Sequence, residues 1–187
     1  MTSAHPALAR QVGELCRLTG QFQLRSGTTA TTYFDKYLFE SEPTILRAVA
    51  DELSQLVPDD IAVLAGLELG GVPVVTALSL ATGLPAAFVR KAAKPYGTAK
   101  LAEGADIEGR KVLVVEDVIT TGGQVAESTR ELRDRGAEVG AVLCVIDRSG
   151  GDASQSDDES ECGGDEVLGH GSPQDRWDRT LPVDLRR

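Results

Sequence analysis

The stretch Val112-Leu-Val-Val-Glu-Asp-Val-Ile-Thr-Thr-Gly-Gly123 decides the fold of this chain. Its opening apolar run is typical of a strand that is buried on both faces of a parallel sheet. The run ends in two carboxylates, Glu116 and Asp117, and a Thr-Thr-Gly-Gly turn then opens a helix. Glycines let backbone N–H groups approach an anion closely, and a helix N-terminus adds positive partial charge. The stretch therefore predicts a strand, an anion-binding turn and a helix in direct succession.

Other segments continue this alternation of strand and helix along the chain. Apolar residues at helical spacing from Leu8 to Leu18 predict an N-terminal helix that ends by Gly20, and strand-like stretches follow at 22–27 and 31–37. Further strands are predicted at 61–67, 86–91 and 137–147, and further helices at 43–56 after a Ser41 cap, at 71–81 and at 123–135. The predicted fold class is α/β, with a mainly parallel central sheet flanked by helices. Ligands of such sheets bind beyond the carboxyl ends of the strands.

Composition excludes several classes of protein. The chain has 187 residues and a formal net charge of -10, which suits one acidic globular domain and argues against nucleic-acid binding. The sequence has no run of about 18 apolar residues, so we expect no membrane span. Its three cysteines form no CxxC pair, and its first residues do not follow the pattern of a secretory signal. We therefore expect a cytoplasmic protein.

The last part of the chain differs in composition from the rest. Residues 150–187 contain ten Asp/Glu and four Lys/Arg, a net charge of -6, and they show neither helical nor strand periodicity. Such a composition buries too little apolar surface to offset the entropy of ordering. We therefore predict one domain over residues 1–149 and an acidic, disordered tail over residues 150–187.

The turn and the two carboxylates indicate a ligand with two kinds of polar group. Thr120 and Thr121 add hydroxyl donors to a cradle for phosphate. Carboxylates beside a phosphate would repel it unless they accept hydrogen bonds from sugar hydroxyls or face a bound magnesium ion. A ribose 5-phosphate offers both groups. The alternative is an acidic turn and a capped helix that bind nothing. The stretch is neither GxxxxGKS/T nor GxGxxG, which disfavours an ATP P-loop and a dinucleotide site.

The stretch resembles the phosphoribosyl pyrophosphate signature of type I phosphoribosyltransferases. Together with three further segments, it makes residues from about 14 to about 149 similar to the orotate phosphoribosyltransferases. The resemblance implies the type I fold with a short N-terminal hood over about residues 1–40. It also implies transfer of the 5-phosphoribosyl group from phosphoribosyl pyrophosphate to orotate, which gives orotidine 5′-phosphate and pyrophosphate in pyrimidine biosynthesis.

The three further segments are LRSG with TYFDK (24–27 and 32–36), RKAAKPYGT (90–98) and VIDR (145–148). By the resemblance, Arg25 contacts the phosphorylated substrate, and Tyr33 and Phe34 line the orotate pocket. The second segment resembles the basic catalytic loop, and Arg148 of the third binds the orotate carboxylate, which its planar fork matches. Without a ligand, the same segments would be an exposed cationic turn, a solvated surface and a strand-end ion pair.

The resemblance implies two catalytic residues, Lys94 and Asp117. The residues that it implies in substrate binding are Arg25, Tyr33, Phe34, Arg90, Lys91, Lys94, Tyr96, Glu116, Asp117, Val118, Ile119, Thr120, Thr121, Gly122, Gly123, Gln124 and Arg148. Cations of the loop would neutralise charge on the departing pyrophosphate. Many members have His at the position of Tyr96, and some have Lys at the position of Gly70, within the pyrophosphate-binding turn of residues 66–73.

The resemblance also implies a magnesium ion and a partner subunit. Mg²⁺ would arrive on the pyrophosphate and the ribose hydroxyls, so we predict no metal site built from protein side chains alone. The basic loop would reach into the site of a second subunit, which implies a homodimer with shared active sites. Two alternatives remain open, a related transferase for another nucleobase and a regulator that binds phosphoribosyl pyrophosphate without turnover.

Overall fold

The computed structural model describes residues 6–23, 27–92 and 100–148. Three predicted site residues, Arg25, Lys94 and Tyr96, lie outside these ranges, and so does the predicted tail. The elements in chain order are α1 (Pro6–Cys16), β1 (Arg17–Gln23), β2 (Thr29–Phe34), α2 (Tyr37–Ser41), α3 (Pro43–Ser54), β3 (Val63–Leu67), α4 (Gly71–Thr82), β4 (Ala86–Val89), β5 (Ala102–Gly104), β6 (Lys111–Ile119), α5 (Gly123–Asp134) and β7 (Glu138–Asp147).

The main sheet has five strands in the order β5-β4-β3-β6-β7. β3 pairs in parallel with β4 and with β6, and β6 pairs in parallel with β7, whereas the short edge strand β5 is antiparallel to β4. The predicted α/β class with a mainly parallel sheet is confirmed. Because the parallel strands share one direction, their carboxyl ends lie along a single edge of the sheet.

Side chains of β6 alternate between two apolar layers. Leu113 and Val115 pack in the layer that contains Leu78 of α4, and Val112 and Val114 pack in the layer that contains residues of α5. All four apolar residues at the start of the deciding stretch are fully buried. The continuous apolar run in the sequence is thus explained by a strand with helices on both faces.

The N-terminal elements differ from the prediction in two respects. Leu18 lies in β1 and not in a helix, because β1 pairs with β2 in an antiparallel hairpin that places Leu18 opposite Tyr33. The predicted Ser41 cap of α3 is wrong. Ser41 ends α2, and the cap is Glu42, whose Oε1 accepts a hydrogen bond of 3.3 Å from the Thr44 N–H.

Two elements were not predicted at all. β5 is only three residues long, and α2 is a helix of five residues that begins inside the stretch read as a strand. β5 depends on its pairing with β4, and α2 packs against α1 and α3. Within the described residues, the structure contains no helix that is long and apolar enough to cross a membrane.

Leu78 and Leu80 of α4 provide a matched test of this layered core. Leu78 is fully buried, whereas Leu80 on the same helix is 84% exposed. We predict that Leu78→Ala lowers the free energy of unfolding by about 2–5 kcal/mol, because the truncation leaves a cavity under the sheet. Leu80→Ala should change it by less than about 0.5 kcal/mol. Urea denaturation measures both, and equal losses would contradict the assigned layers.

Candidate active site

The predicted anion-binding turn lies where β6 ends and α5 begins. Gly122 adopts the left-handed conformation, with φ of 79°, immediately before the first residue of α5. A side chain would strain this conformation, so glycine suits the position. The side chains of Thr120, Thr121 and Gln124 are exposed. The first N–H groups of a helix have no partner within the helix, so this turn presents donors and hydroxyls to the same space at the sheet edge.

Arg148 is brought to the same edge by the last strand. The pairing of β6 with β7 aligns Ile119 with Asp147, and the N–H of Arg148 donates a hydrogen bond of 2.8 Å to the Ile119 carbonyl. Arg148 is exposed, and its predicted role in binding orotate stays a prediction. Ile119 is buried in the core and Val118 is half-buried. Ile119 can therefore contribute backbone groups to a ligand, but little side-chain surface.

A second turn, between β3 and α4, connects to the basic segment through Glu68. The N–H of Glu68 donates to the Val89 carbonyl over 2.8 Å, and its Oε1 accepts a hydrogen bond of 2.7 Å from the Lys91 N–H. Arg90 is half-buried and Lys91 is exposed. The start of the basic segment is therefore held against the turn that the resemblance assigns to pyrophosphate. The peptide bond between Glu68 and Leu69 is cis.

The two carboxylates at the end of β6 are less accessible than expected. Asp117 is fully buried and Glu116 is only 8% exposed. Asp117 Oδ1 accepts a hydrogen bond of 2.7 Å from the Val118 N–H, and Glu116 Oε1 accepts one of 3.1 Å from the Asp117 N–H. Gly70 lies directly over Asp117, so that a Cβ added there would overlap the carboxylate. Access of a sugar hydroxyl to Asp117 therefore requires the turn or the carboxylate to move.

Two side chains that the sequence analysis did not assign complete this cluster. Lys36 Nζ lies 2.5 Å from Asp117 Oδ2. Within the part of the chain that the structure describes, Oδ2 has no hydrogen-bond partner of good geometry, so this contact is an ion pair. Glu40 of α2 is 8% exposed, and neither of its carboxyl oxygens has a hydrogen-bond partner among the described residues. In the sequence, only a weak signal indicates that these two residues belong to the site. Lys36 ends the TYFDK segment, and Glu40 is a lone acid among apolar residues.

Burial and mutual proximity set the charge state of the cluster. Burial, followed by the neighbouring Asp117 carboxylate, raises the pKa of Glu40 to about 8 and that of Glu116 to about 9. Burial alone would raise the pKa of Asp117, but its contacts with Glu116, Glu40 and Lys36 outweigh burial and lower it. Burial would likewise lower the pKa of Lys36, but the contact with Asp117 raises it. At neutral pH the cluster is a Lys36–Asp117 ion pair flanked by two protonated acids.

The structure separates the two aromatic residues predicted for the orotate pocket. Tyr33 is 44% exposed, and its ring lies 5.4 Å from the ring of Phe22 across the hairpin. Phe34 packs against the core instead. Neighbouring residues of a strand point to opposite faces, so the two rings cannot line one face of a pocket in this arrangement. Tyr33 is the more exposed of the two, and the predicted contact of either ring with orotate stays a prediction.

Across residues 6–23, 27–92 and 100–148, three or more His, Cys, Asp or Glu side chains do not come together in an arrangement that could hold a metal ion. The ammonium of Lys36 lies where a cation would otherwise balance Asp117. That a magnesium ion enters on the substrate, as we expect from the sequence, stays a prediction.

The chain is similar in sequence to a known family and to named relatives. The phosphoribosyl transferase domain family matches residues 39–169. An orotate phosphoribosyltransferase from a Nocardioides species is 61% identical over 142 residues, which are 76% of this chain and 79% of that protein. The orotate phosphoribosyltransferase of Methanocella arvoryzae is 43% identical over 132 residues, 71% of this chain and 75% of that protein. The family match passes residue 150, so the domain boundary predicted there stays a prediction.

Solved structures of orotate phosphoribosyltransferases also match this chain. Mycobacterium tuberculosis orotate phosphoribosyltransferase in complex with inorganic phosphate matches with a TM-score of 0.69 at 34% identity, covering 79% of this chain and 85% of that one. The same enzyme in complex with 5-phospho-alpha-D-ribosyl 1-diphosphate matches with a TM-score of 0.66 at 33% identity and the same coverage. Trypanosoma brucei adenine phosphoribosyl transferase, at 16% identity and a TM-score of 0.59, covers 79% of this chain and 70% of that one and shares the fold alone. The fold, the signature turn and the extent of these matches together show that the chain belongs to the orotate phosphoribosyltransferases of the phosphoribosyltransferase family.

Proposed function

We propose that this chain transfers the 5-phosphoribosyl group from phosphoribosyl pyrophosphate to orotate, which gives orotidine 5′-phosphate and pyrophosphate. The observation that carries the proposal is the meeting of the Thr120–Gly123 turn with Arg148 at one edge of the sheet. The turn suits the 5′-phosphate of the donor, and the guanidinium suits the carboxylate of the acceptor. The 61% identical relative carries the same activity in its name.

The chemistry needs positioning and charge rather than a nucleophile. As the bond from the anomeric carbon to pyrophosphate breaks, the ribosyl group gains oxocarbenium character. A ring nitrogen of orotate then bonds to the anomeric carbon, and the proton of that nitrogen is released to solvent. The Thr120–Gly123 turn holds the phosphate, and Arg148 orients the acceptor. Arg90, Lys91 and Lys94 neutralise charge on the departing pyrophosphate, and the basic loop excludes water. An ionised Asp117 accepts hydrogen bonds from the ribose hydroxyls once they reach it.

Magnesium and the partner subunit belong to the same proposal. A magnesium ion would be held by the donor rather than by the described side chains, and it would supply positive charge against the pyrophosphate. The basic loop acts in the site of a second copy of the chain, so that the working unit is a homodimer. Lys94 and Tyr96 of this loop lie outside the described residues, and we assign them these roles by the resemblance. We also propose that the enzyme works in the cytoplasm.

Product analysis distinguishes this function from its two alternatives. We expect pyrophosphate release from phosphoribosyl pyrophosphate with orotate, and none with uracil or hypoxanthine, because only orotate carries a carboxylate for Arg148. Turnover of another base without orotate turnover would assign the chain to a related transferase. Binding of phosphoribosyl pyrophosphate without any product would identify a regulator.

Arg148 offers a test of the acceptor site with a matched control. We predict that Arg148→Ala raises the KM for orotate by about tenfold or more, because a charge-assisted bidentate contact is lost. Arg110, an exposed residue immediately before β6 at the opposite edge of the sheet, is the control. Arg110→Ala should leave the KM within about twofold of its normal value. Steady-state kinetics measures both, and an unchanged KM in Arg148→Ala would contradict the assignment.

Subunit complementation tests the shared active sites. Lys94→Ala and Arg148→Ala should each retain about a tenth of wild-type activity or less at low orotate concentration. A co-expressed mixture should regain about a quarter of wild-type activity, because half of the dimers are mixed and one of their two sites is intact. If each site were built from one chain, the mixture would stay inactive.

The buried carboxyl of Glu40 predicts a pH dependence of stability. Its folded-state pKa is raised to about 8, so the folded chain retains a proton that the unfolded chain loses. The stabilisation is complete below the ordinary pKa and is lost as the pH rises towards about 8. Glu40→Gln should therefore reduce the loss of unfolding free energy between pH 6 and pH 8 by about 1–2 kcal/mol. Glu127 is exposed, and Glu127→Gln is the control in urea denaturation. The same loss of unfolding free energy in wild type, Glu40→Gln and Glu127→Gln would show that Glu40 does not cause the pH dependence.

A further inference from the structure

Three separate parts of the chain meet at the carboxylate of Asp117. The residue itself belongs to β6, Gly70 of the β3–α4 turn covers it, and Lys36 reaches it from the segment that joins the N-terminal hairpin to α2. Glu40 lies four residues after Lys36, in α2, and contributes to the same cluster. The N-terminal region is thus attached to a predicted catalytic residue by a charge contact.

We propose that Lys36 is a positioning residue, which holds Asp117 ionised and oriented in the free enzyme and thereby sets the affinity for phosphoribosyl pyrophosphate. The proposal rests on the proposed function, because it takes Asp117 as the acceptor of the ribose hydroxyls. Lys36 itself needs no contact with the substrate.

The geometry gives Lys36 this role because Asp117 is buried on every side. A fully buried carboxylate is costly unless a counter-charge and hydrogen bonds compensate it. The Val118 N–H supplies the hydrogen bond to Oδ1, and the Lys36 ammonium supplies the charge at Oδ2. Lys36 is itself half-buried, so water screens the pair only in part. Without Lys36, the ionisable neighbours of Asp117 among the described residues would be the carboxyl groups of Glu40 and Glu116.

Loss of the ammonium is therefore expected to change the protonation state of Asp117 rather than the shape of the site. Three carboxyl groups without a cation would retain an additional proton, and a protonated Asp117 is a weaker acceptor for a hydroxyl. The carboxylate would also lose the contact at Oδ2 that orients it near the end of β6. Donor binding should weaken, whereas orotate, whose carboxylate is assigned to Arg148, should bind as before.

Lys36→Met tests the proposal, because methionine keeps the length of the side chain and removes its charge. We expect the KM and the calorimetric Kd for phosphoribosyl pyrophosphate with Mg²⁺ to rise by about tenfold, with the KM for orotate within about twofold. Lys36→Arg, which keeps the charge, should restore donor affinity to within about threefold. Lys111→Met is the matched control, because Lys111 forms an exposed ion pair with Asp60 at the other end of β6. Lys111→Met should leave the Kd for phosphoribosyl pyrophosphate and the KM for orotate unchanged.

A double-mutant cycle separates positioning from direct contact. In an Asp117→Asn background, Lys36→Met should change the donor Kd by less than about twofold, because the two residues act as one unit. A tenfold effect that persists in this background would show that Lys36 binds the donor itself, which overturns the proposal. A donor Kd within twofold of wild type in Lys36→Met also overturns it. If Lys36→Met unfolds, Lys36→Gln takes its place in the cycle, with thermal unfolding recorded for each variant.

Measurement of the donor Kd also distinguishes a failure of this proposal from a failure of the proposed function. If the wild-type chain binds phosphoribosyl pyrophosphate but does not convert orotate, the acceptor assignment fails. The cycle on donor binding can still be read in that case, because it needs no turnover.

Discussion

A strand that is buried on both faces can present polar groups only at its ends, and this constraint determines the site. β6 runs between β3 and β7 with apolar side chains in both layers of the core. Its first polar residues after the core are Glu116 and Asp117, and the turn with its threonines and glycines follows at once. Because β3, β4 and β7 run in the same direction, their ends bring the second turn, the basic segment and Arg148 to the same edge. The site is therefore a consequence of the parallel sheet.

The charges at this edge oppose the charge of the whole chain. The protein carries a net charge of -10, yet Arg90, Lys91 and Arg148 lie at the strand ends, where we propose that an anionic donor and an anionic acceptor bind. A local group of cations acts over a few ångströms, whereas salt screens the distributed surface charge beyond about 10 Å. An acidic protein can therefore bind two anions, and its overall charge still disfavours nucleic acid.

The ion pair of Lys36 and Asp117 connects the N-terminal region to the candidate active site. The hairpin of β1 and β2 pairs within itself and is not part of the main sheet. Its connection to α2 nevertheless places an ammonium on the carboxylate at the end of β6. Gly70 completes the arrangement, because a side chain there would displace that carboxylate. Some members of the family have lysine at this position. In this chain the cation beside the turn comes from a different segment.

The sequence by itself determined the fold class, the order of the main strands and helices, and the turn that begins α5. These features depend on local patterns, namely buried apolar runs, helical spacing and a glycine that tolerates a positive φ. It did not reveal β5, α2, the Glu42 cap or the opposite orientation of Tyr33 and Phe34. Above all, only the tertiary structure placed Lys36 and Glu40 against Asp117. Those residues are about eighty positions apart in the chain, and no local pattern specifies a contact that forms only when the N-terminal segment packs over the end of a buried strand.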